Sequence, residues 1–92
     1  MTTLSQAEIA SRLTALPDWR IEHGELVRTF QFATFPEAVA FVNQVAGAAE
    51  EANHHPDIDV RYNRVRLALV SHDAGGLTDR DFALAAAADR LA

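Results

Sequence analysis

The sequence contains no cysteine, which rules out a disulfide framework, a thiolate nucleophile and any zinc site built on sulfur. It has no basic excess either. The formal net charge is −5, which argues against a nucleic-acid backbone as a direct partner, because phosphate binding draws on a positively charged face. No apolar run approaches the length of a membrane span. The opening residues, Met1-Thr2-Thr3-Leu4-Ser5-Gln6-Ala7-Glu8, lack the basic region and apolar stretch of a signal peptide, so a soluble cytoplasmic protein is expected. The glycines form neither a phosphate loop nor a dinucleotide-binding pattern, and Ser5, Ser11 and Ser71 lack the glycines of a nucleophile elbow.

What is there is a chain of 92 residues, 49% of them hydrophobic. That length makes one domain with the composition for a proper core, and surface-to-volume scaling makes such a small domain gain from association. A homodimer or larger symmetric assembly is therefore expected, since an open sheet also exposes edge strands.

The hydrophobic periodicity changes along the chain. Ser5 and Glu8 form a capping-box pattern, and Ile9, Leu13 and Leu16 recur at helical spacing before Pro17, which predicts a helix over 6–15. From Trp19 the pattern alternates. Trp19 and Ile21 lead to a turn at His23-Gly24-Glu25 and a strand from Leu26 to Phe32. His23 lies in that turn, is expected to be exposed, and is assigned no chemistry.

Thr34-Phe35-Pro36-Glu37 resembles a second capping box, with proline tolerated in the first turn, and Ala38, Val42, Val45 and Ala49, supplemented by Phe41 and Ala48, predict the longest helix over 36–52. Pro56 prevents continuation and pushes His55 toward extended geometry. Val60 and Tyr62 lead to a turn at Asn63-Arg64, and Val65, Leu67 and Leu69 then form the inner face of a returning strand. Asp73-Ala74-Gly75-Gly76 is a loop, and Thr78 with Asp81 starts a last helix carrying Phe82, Ala85, Ala86 and Leu91. The order read from these patterns is α-β-β-α-β-β-α, an α+β arrangement of three helices and two hairpins.

Three of the four histidines, His54, His55 and His72, fall within this second half, beside Glu50, Glu51, Asp57, Asp73 and Asp81. Histidine is the side chain whose charge changes near neutral pH, and neighbouring carboxylates tune it. The His54-His55 pair sits at a helix-to-strand junction, where loops carry function on a rigid scaffold. Alternation along the last strand keeps His72 off the core face. Glu50, near the C-terminus of the long helix where the macrodipole disfavours negative charge, is a candidate to orient a histidine. Asp81 has two readings, a capping-box residue or a member of the site. Adjacent histidines chelate one ion poorly, and no His-x-His or His-x-x-x-His spacing occurs, so no metal site is expected.

The residues Glu50, His54-His55-Pro56, Tyr62, His72 and Asp81, with their spacing, resemble the pattern of the pterin-4a-carbinolamine dehydratases, also known as dimerisation cofactors of a homeodomain transcription factor. The resemblance extends through Trp19, Phe30-Gln31-Phe32, Phe35, Gly76-Leu77 and Arg80-Asp81. Two positions depart from it: Ile58 stands where animal members usually carry tryptophan, and Asp73 replaces the more usual glutamate. The resemblance implies a four-stranded antiparallel sheet with three helices on one face, assembled as a homodimer or homotetramer. It implies a dehydratase that removes water from the pterin substrate 4a-hydroxytetrahydrobiopterin with no cofactor. His54, His55 and His72 would then transfer protons while Glu50, Asp81 and Ser71 support them. A rival implied by the same family is a dimeric binding module that stabilises a partner protein, and a third is an enzyme of molybdopterin metabolism.

Overall fold

The computed structural model describes residues 2–92. Three helices cover one face of a four-stranded antiparallel sheet, in the order α1 (Gln6–Leu13), β1 (Arg20–Glu22), β2 (Glu25–Gln31), α2 (Phe35–Ala52), β3 (Asp57–Arg61), β4 (Arg64–Leu69) and α3 (Asp79–Leu91). Spatially the strands run β1-β2-β4-β3. The two hairpins are joined through β2 and β4, with Leu26 opposite Leu69 and Phe30 opposite Val65. This pairing gives the sheet its buried centre.

The first and last helices begin with the capping boxes their sequence predicts, whereas α2 forms only one of the two bonds, with no return bond from the Glu37 side chain among the described residues. Ser5 and Glu8 exchange the reciprocal bonds of a capping box, at 2.8 and 3.1 Å. The first helix closes at Leu13, earlier than its periodicity predicts, because the next three amides reach back only three residues to Ser11, Arg12 and Leu13. Such bonds tighten a last turn, and Pro17 forbids the helical geometry that would prolong it. Thr34 accepts from the Glu37 amide to start α2, with Pro36 in the first turn, where no amide hydrogen is needed. Ala38, Phe41, Val45 and Ala49 are its buried stripe, flanked by partly buried Val42 and Ala48.

The core joins this stripe to Leu26, Phe30, Val65, Leu67 and Leu69 of the sheet and to Phe82, Leu84, Ala85 and Ala88 of α3. Phe30 and Phe41 stack at 4.6 Å between centroids, and Trp19 meets Phe30 edge-on. Asp89 near the end of α3 accepts from the Trp19 indole and from Arg28, whose guanidinium lies 4.0 Å above the Phe30 ring. The opposite face of the sheet carries Glu22, which pairs with both Arg20 and Arg66. Among the described residues no helix is long and apolar enough to cross a membrane.

The second hairpin turns one residue earlier than its sequence suggests. Arg61 pairs with Arg64, so the turn is Tyr62-Asn63 and not Asn63-Arg64. Asn63 is held by Phe32: its side chain donates to the Phe32 carbonyl at 2.6 Å, and its carbonyl accepts from the Phe32 amide. Those ties fix Asn63 inside the turn and leave Tyr62 at a positive φ of 52°. Tyr62 is 72% exposed and stands with Phe35, Val39, Ile58 and Val60 among the exposed large apolar side chains.

Candidate functional site

The site begins at the end of α2. Asn53 adopts the left-handed conformation, φ 49° and ψ 44°, while its amide and that of His54 return to the carbonyls of Glu50 and Ala49. This closure satisfies the last carbonyls of the helix and reverses the chain, and asparagine is among the few residues other than glycine that accept it readily. His54 and His55 leave the helix immediately after this bend.

Their side chains diverge, as adjacency requires. His54 turns inward and is buried, its Nε2 2.5 Å from Oδ1 of a fully buried Asp81. His55 stays exposed, with Nε2 2.5 Å from Oε2 of Glu50 one turn back. Each histidine of the pair thus has its own carboxylate. Both partners of the Glu50–His55 pair face solvent.

Asp81 divides its partners between its two oxygens. Oδ2 accepts from the Thr78 amide at 3.0 Å, which is the capping-box bond of α3, and from the Ser71 hydroxyl at 2.9 Å. Oδ1 is left for His54. As a carboxylate Asp81 only accepts, so His54 Nε2 carries the proton and Nδ1 is the nitrogen free for chemistry. The hydroxyls are ordered by the same count. Ser71 spends its one hydrogen on Asp81, so at 2.8 Å the Thr78 hydroxyl must donate to Ser71, while Thr78 Oγ1 accepts from the Arg80 amide. Ser71, Thr78 and Asp81 are all buried, and together they hold the carboxylate facing His54.

The third histidine arrives from β4. His72 follows the Ser71–Gly76 bridge that closes the 72–75 loop and is exposed. With Asn53, His54, His55, Val70 and Arg80 it lines a concavity of about 360 Å³. The structure therefore brings His54, His55 and His72 to one cleft, places Glu50 and Asp81 behind two of them, and puts Ser71 behind Asp81. Tyr62, part of the same sequence pattern, lies away at the β3–β4 turn. Among the described residues no three histidine or carboxylate side chains converge as a metal-ligand set.

The profile of the family described as Pterin 4 alpha carbinolamine dehydratase matches residues 2–91. The chain belongs to that family. It is 65% identical over 91 residues to a protein of Chloroflexus aurantiacus that carries the provisional name pterin-4-alpha-carbinolamine dehydratase, an alignment covering 99% of this chain and 98% of the relative. A relative of the same provisional name from Acidobacterium capsulatum is 57% identical, covering 99% of both chains. Among solved structures, the transcriptional coactivator/pterin dehydratase of Brucella melitensis superposes with a TM-score of 0.95 at 32% identity, covering 99% of each chain. A pterin dehydratase-like protein identified as a RuBisCO assembly factor in the alpha-carboxysome superposes with a TM-score of 0.65 at 26% identity, covering 79% of this chain and 84% of its own.

Within this family member, the site residue that sequence reasoning did not single out is Arg80. It donates to Asp73 across the cleft rim at 2.6 Å, and that contact holds the Asp73 carboxyl below its ordinary pKa. Its Nε is buried with no partner among the described residues. The available signal was position: Arg80 lies in the first turn of α3 beside Asp81, so a helix start aimed at His54 also delivers this guanidinium to the cleft.

Proposed function

We propose that the chain dehydrates 4a-hydroxytetrahydrobiopterin to the quinonoid dihydropterin by histidine acid–base catalysis, so recycling the tetrahydropterin. The observation that carries this reading is the convergence of His54, His55 and His72 on one cleft, two of them backed by carboxylates. The reaction is redox-neutral. An acid protonates the 4a-hydroxyl, the C4a–O bond breaks with loss of water, and a base takes the N5 proton as the N5–C4a double bond forms. Imidazoles near neutral pKa suit both roles, each typically worth 10²- to 10⁴-fold.

His54 with its ordered Asp81 partner has a fixed tautomer and a free Nδ1, which suits it to hold one proton position. His55 and His72 are exposed to the cleft and supply the exchanging protons, with His55 placed nearest the leaving hydroxyl. Arg80 and Asn53 complete the wall. The test is turnover of synthetic carbinolamine after subtraction of the spontaneous reaction. The intact protein accelerates it, and His55→Ala and His72→Ala each slow it by roughly 100-fold or more while circular dichroism is unchanged. Near-native kcat/KM in both variants would overturn the assignment.

A second reading is favoured by the exposed apolar residues Phe35, Val39, Ile58, Val60 and Tyr62, and by the assembly-factor role of the RuBisCO-associated relative: a dimeric module that stabilises a partner protein. We place the chain in the cytoplasm as a homodimer or homotetramer in either case. Absence of turnover above background, with the fold intact, would favour the binding role.

A further inference from the structure

The catalytic cleft does not end at His72. Val70 and His72 also line a second concavity of about 390 Å³, whose other walls are His23, Glu25, Gly24 and the Gly75-Gly76 backbone. A molecule seated against His72 therefore borders both. Gly24 and Gly75 have φ of 79° and 81°, and a Cβ placed on either meets no atom within 4 Å, so these glycines face open space. Beyond them the lining turns apolar, with Leu4, Ile9, Leu13, Ile21 and Leu77 around a third hollow of about 510 Å³ that shares Gly24, Gly75 and Gly76.

The sequence of surfaces away from His72 is thus polar and then apolar. Neither the His23 imidazole nor the Glu25 carboxylate has a side-chain hydrogen bond among the described residues, although Glu25 is only partly exposed. His23 is held at φ 51° by the two-residue turn between Glu22 and Glu25, which fixes the base from which its side chain projects. Binding sites commonly combine an apolar wall with a few polar groups that set orientation.

We propose that His23 and Glu25 form a specificity lobe that takes the hydroxylated three-carbon substituent at C6 of the pterin. This rests on the dehydratase reading of the His54–His55–His72 cleft. The substituent carries two hydroxyls and ends in a methyl group. Each hydroxyl both donates and accepts, which an imidazole and a carboxylate answer together, and the methyl points onward to the apolar hollow. His23, assigned no chemistry from its sequence position, becomes a substrate-reading residue because the 72–76 loop folds beside its turn.

The test compares two probes, biopterin and 6-methylpterin, which share the ring and differ in this substituent. Affinities are measured by titration for the native protein, His23→Gly and Glu25→Gln. Glycine suits the positive φ, so His23→Gly removes the imidazole without straining the turn. Native protein should prefer biopterin by roughly 3- to 10-fold, the range expected from about one net hydrogen bond. Each variant should lose most of that preference while its affinity for 6-methylpterin is unchanged. With carbinolamine as substrate, KM should rise and kcat stay constant, the mark of binding energy not specific to the transition state. In proton spectra, biopterin should move the ring signals of both His23 and His72, and 6-methylpterin those of His72 alone. If biopterin moves His72 but not His23, or if His23→Gly keeps the native preference, the lobe is wrong and the dehydratase reading survives. If the preference depends on His23 but carbinolamine is not turned over, the lobe stands and the dehydratase reading falls. If neither pterin binds, both fall.

Discussion

Two carboxylate–histidine pairs at the same 2.5 Å separation differ in burial, and burial decides what each can do. Asp81 is fully buried and accepts from His54, Ser71 and Thr78, so removing its charge leaves donors in the interior with an inferior acceptor. Asp81→Asn should cost about 1–3 kcal/mol of stability, measured by urea unfolding, and should also lower kcat/KM, because the amide no longer enforces one His54 tautomer. Glu50→Gln breaks a pair whose partners are 75% and 59% exposed. Exposed pairs contribute at most about 1 kcal/mol, so the midpoint of unfolding should barely move, and any loss of activity in that variant reports orientation of His55. If Asp81→Asn unfolds like the native protein, the buried network does not have the role assigned to it.

At the scale of elements, the termini of helices do more for the site than their lengths. The α2 end at Asn53 aims two histidines, and the α3 start at Thr78 fixes the carboxylate that receives one of them. A β-branched residue in the left-handed region is strained by roughly 1–2 kcal/mol. Asn53→Val should therefore lower the melting temperature and depress activity together, whereas Asn53→Gly, free of that strain, should preserve both. Equal behaviour of the two variants would show that the bend is set by tertiary packing and not by the residue. The turn at Tyr62-Asn63 makes the same point in reverse. Local sequence pointed to Asn63-Arg64, and the bond from Asn63 to Phe32 across the sheet holds the turn one residue earlier.

The whole molecule responds to pH through carboxylates that are exposed or half-buried. Glu8 is held below its ordinary value by the Ser5 amide and hydroxyl, Glu22 by Arg20 and Arg66, and Asp73 by Arg80. A carboxyl with a lowered folded-state pKa adds stability that is complete above its unfolded value. The contribution disappears as pH falls through the folded one. The ordinary values are 4.5 for the glutamates and 3.8 for Asp73, so stability should be level near neutrality and decline in acid from below about pH 5. Glu22→Gln should make the acid side of that profile shallower, as read from unfolding midpoints across pH. Assembly acts at the same scale. Edge strand β3 carries the exposed apolar residues Ile58 and Val60, and such edges pair readily. Light scattering at micromolar concentration should give a multiple of the 10.1 kDa chain mass. Val60→Lys should shift it toward the monomer with helix content intact. A native monomer would overturn the proposed oligomer.

The sequence by itself determined the order of elements, because helical and alternating periodicities and two capping boxes are local signals, each read within a few residues. It determined the family-like spacing of Glu50, His54, His55, His72 and Asp81, and the unlike directions of two adjacent histidines. Only the tertiary structure decided what those residues meet. His54 and Asp81 are 27 positions apart, and their contact follows from packing α2 and α3 side by side over paired β2 and β4. The same packing brought Arg80 to the cleft and set the His23 turn beside the 72–76 loop. No local pattern encodes such neighbours, since side-chain periodicity fixes which face a residue occupies on its own element but not which element will cover that face.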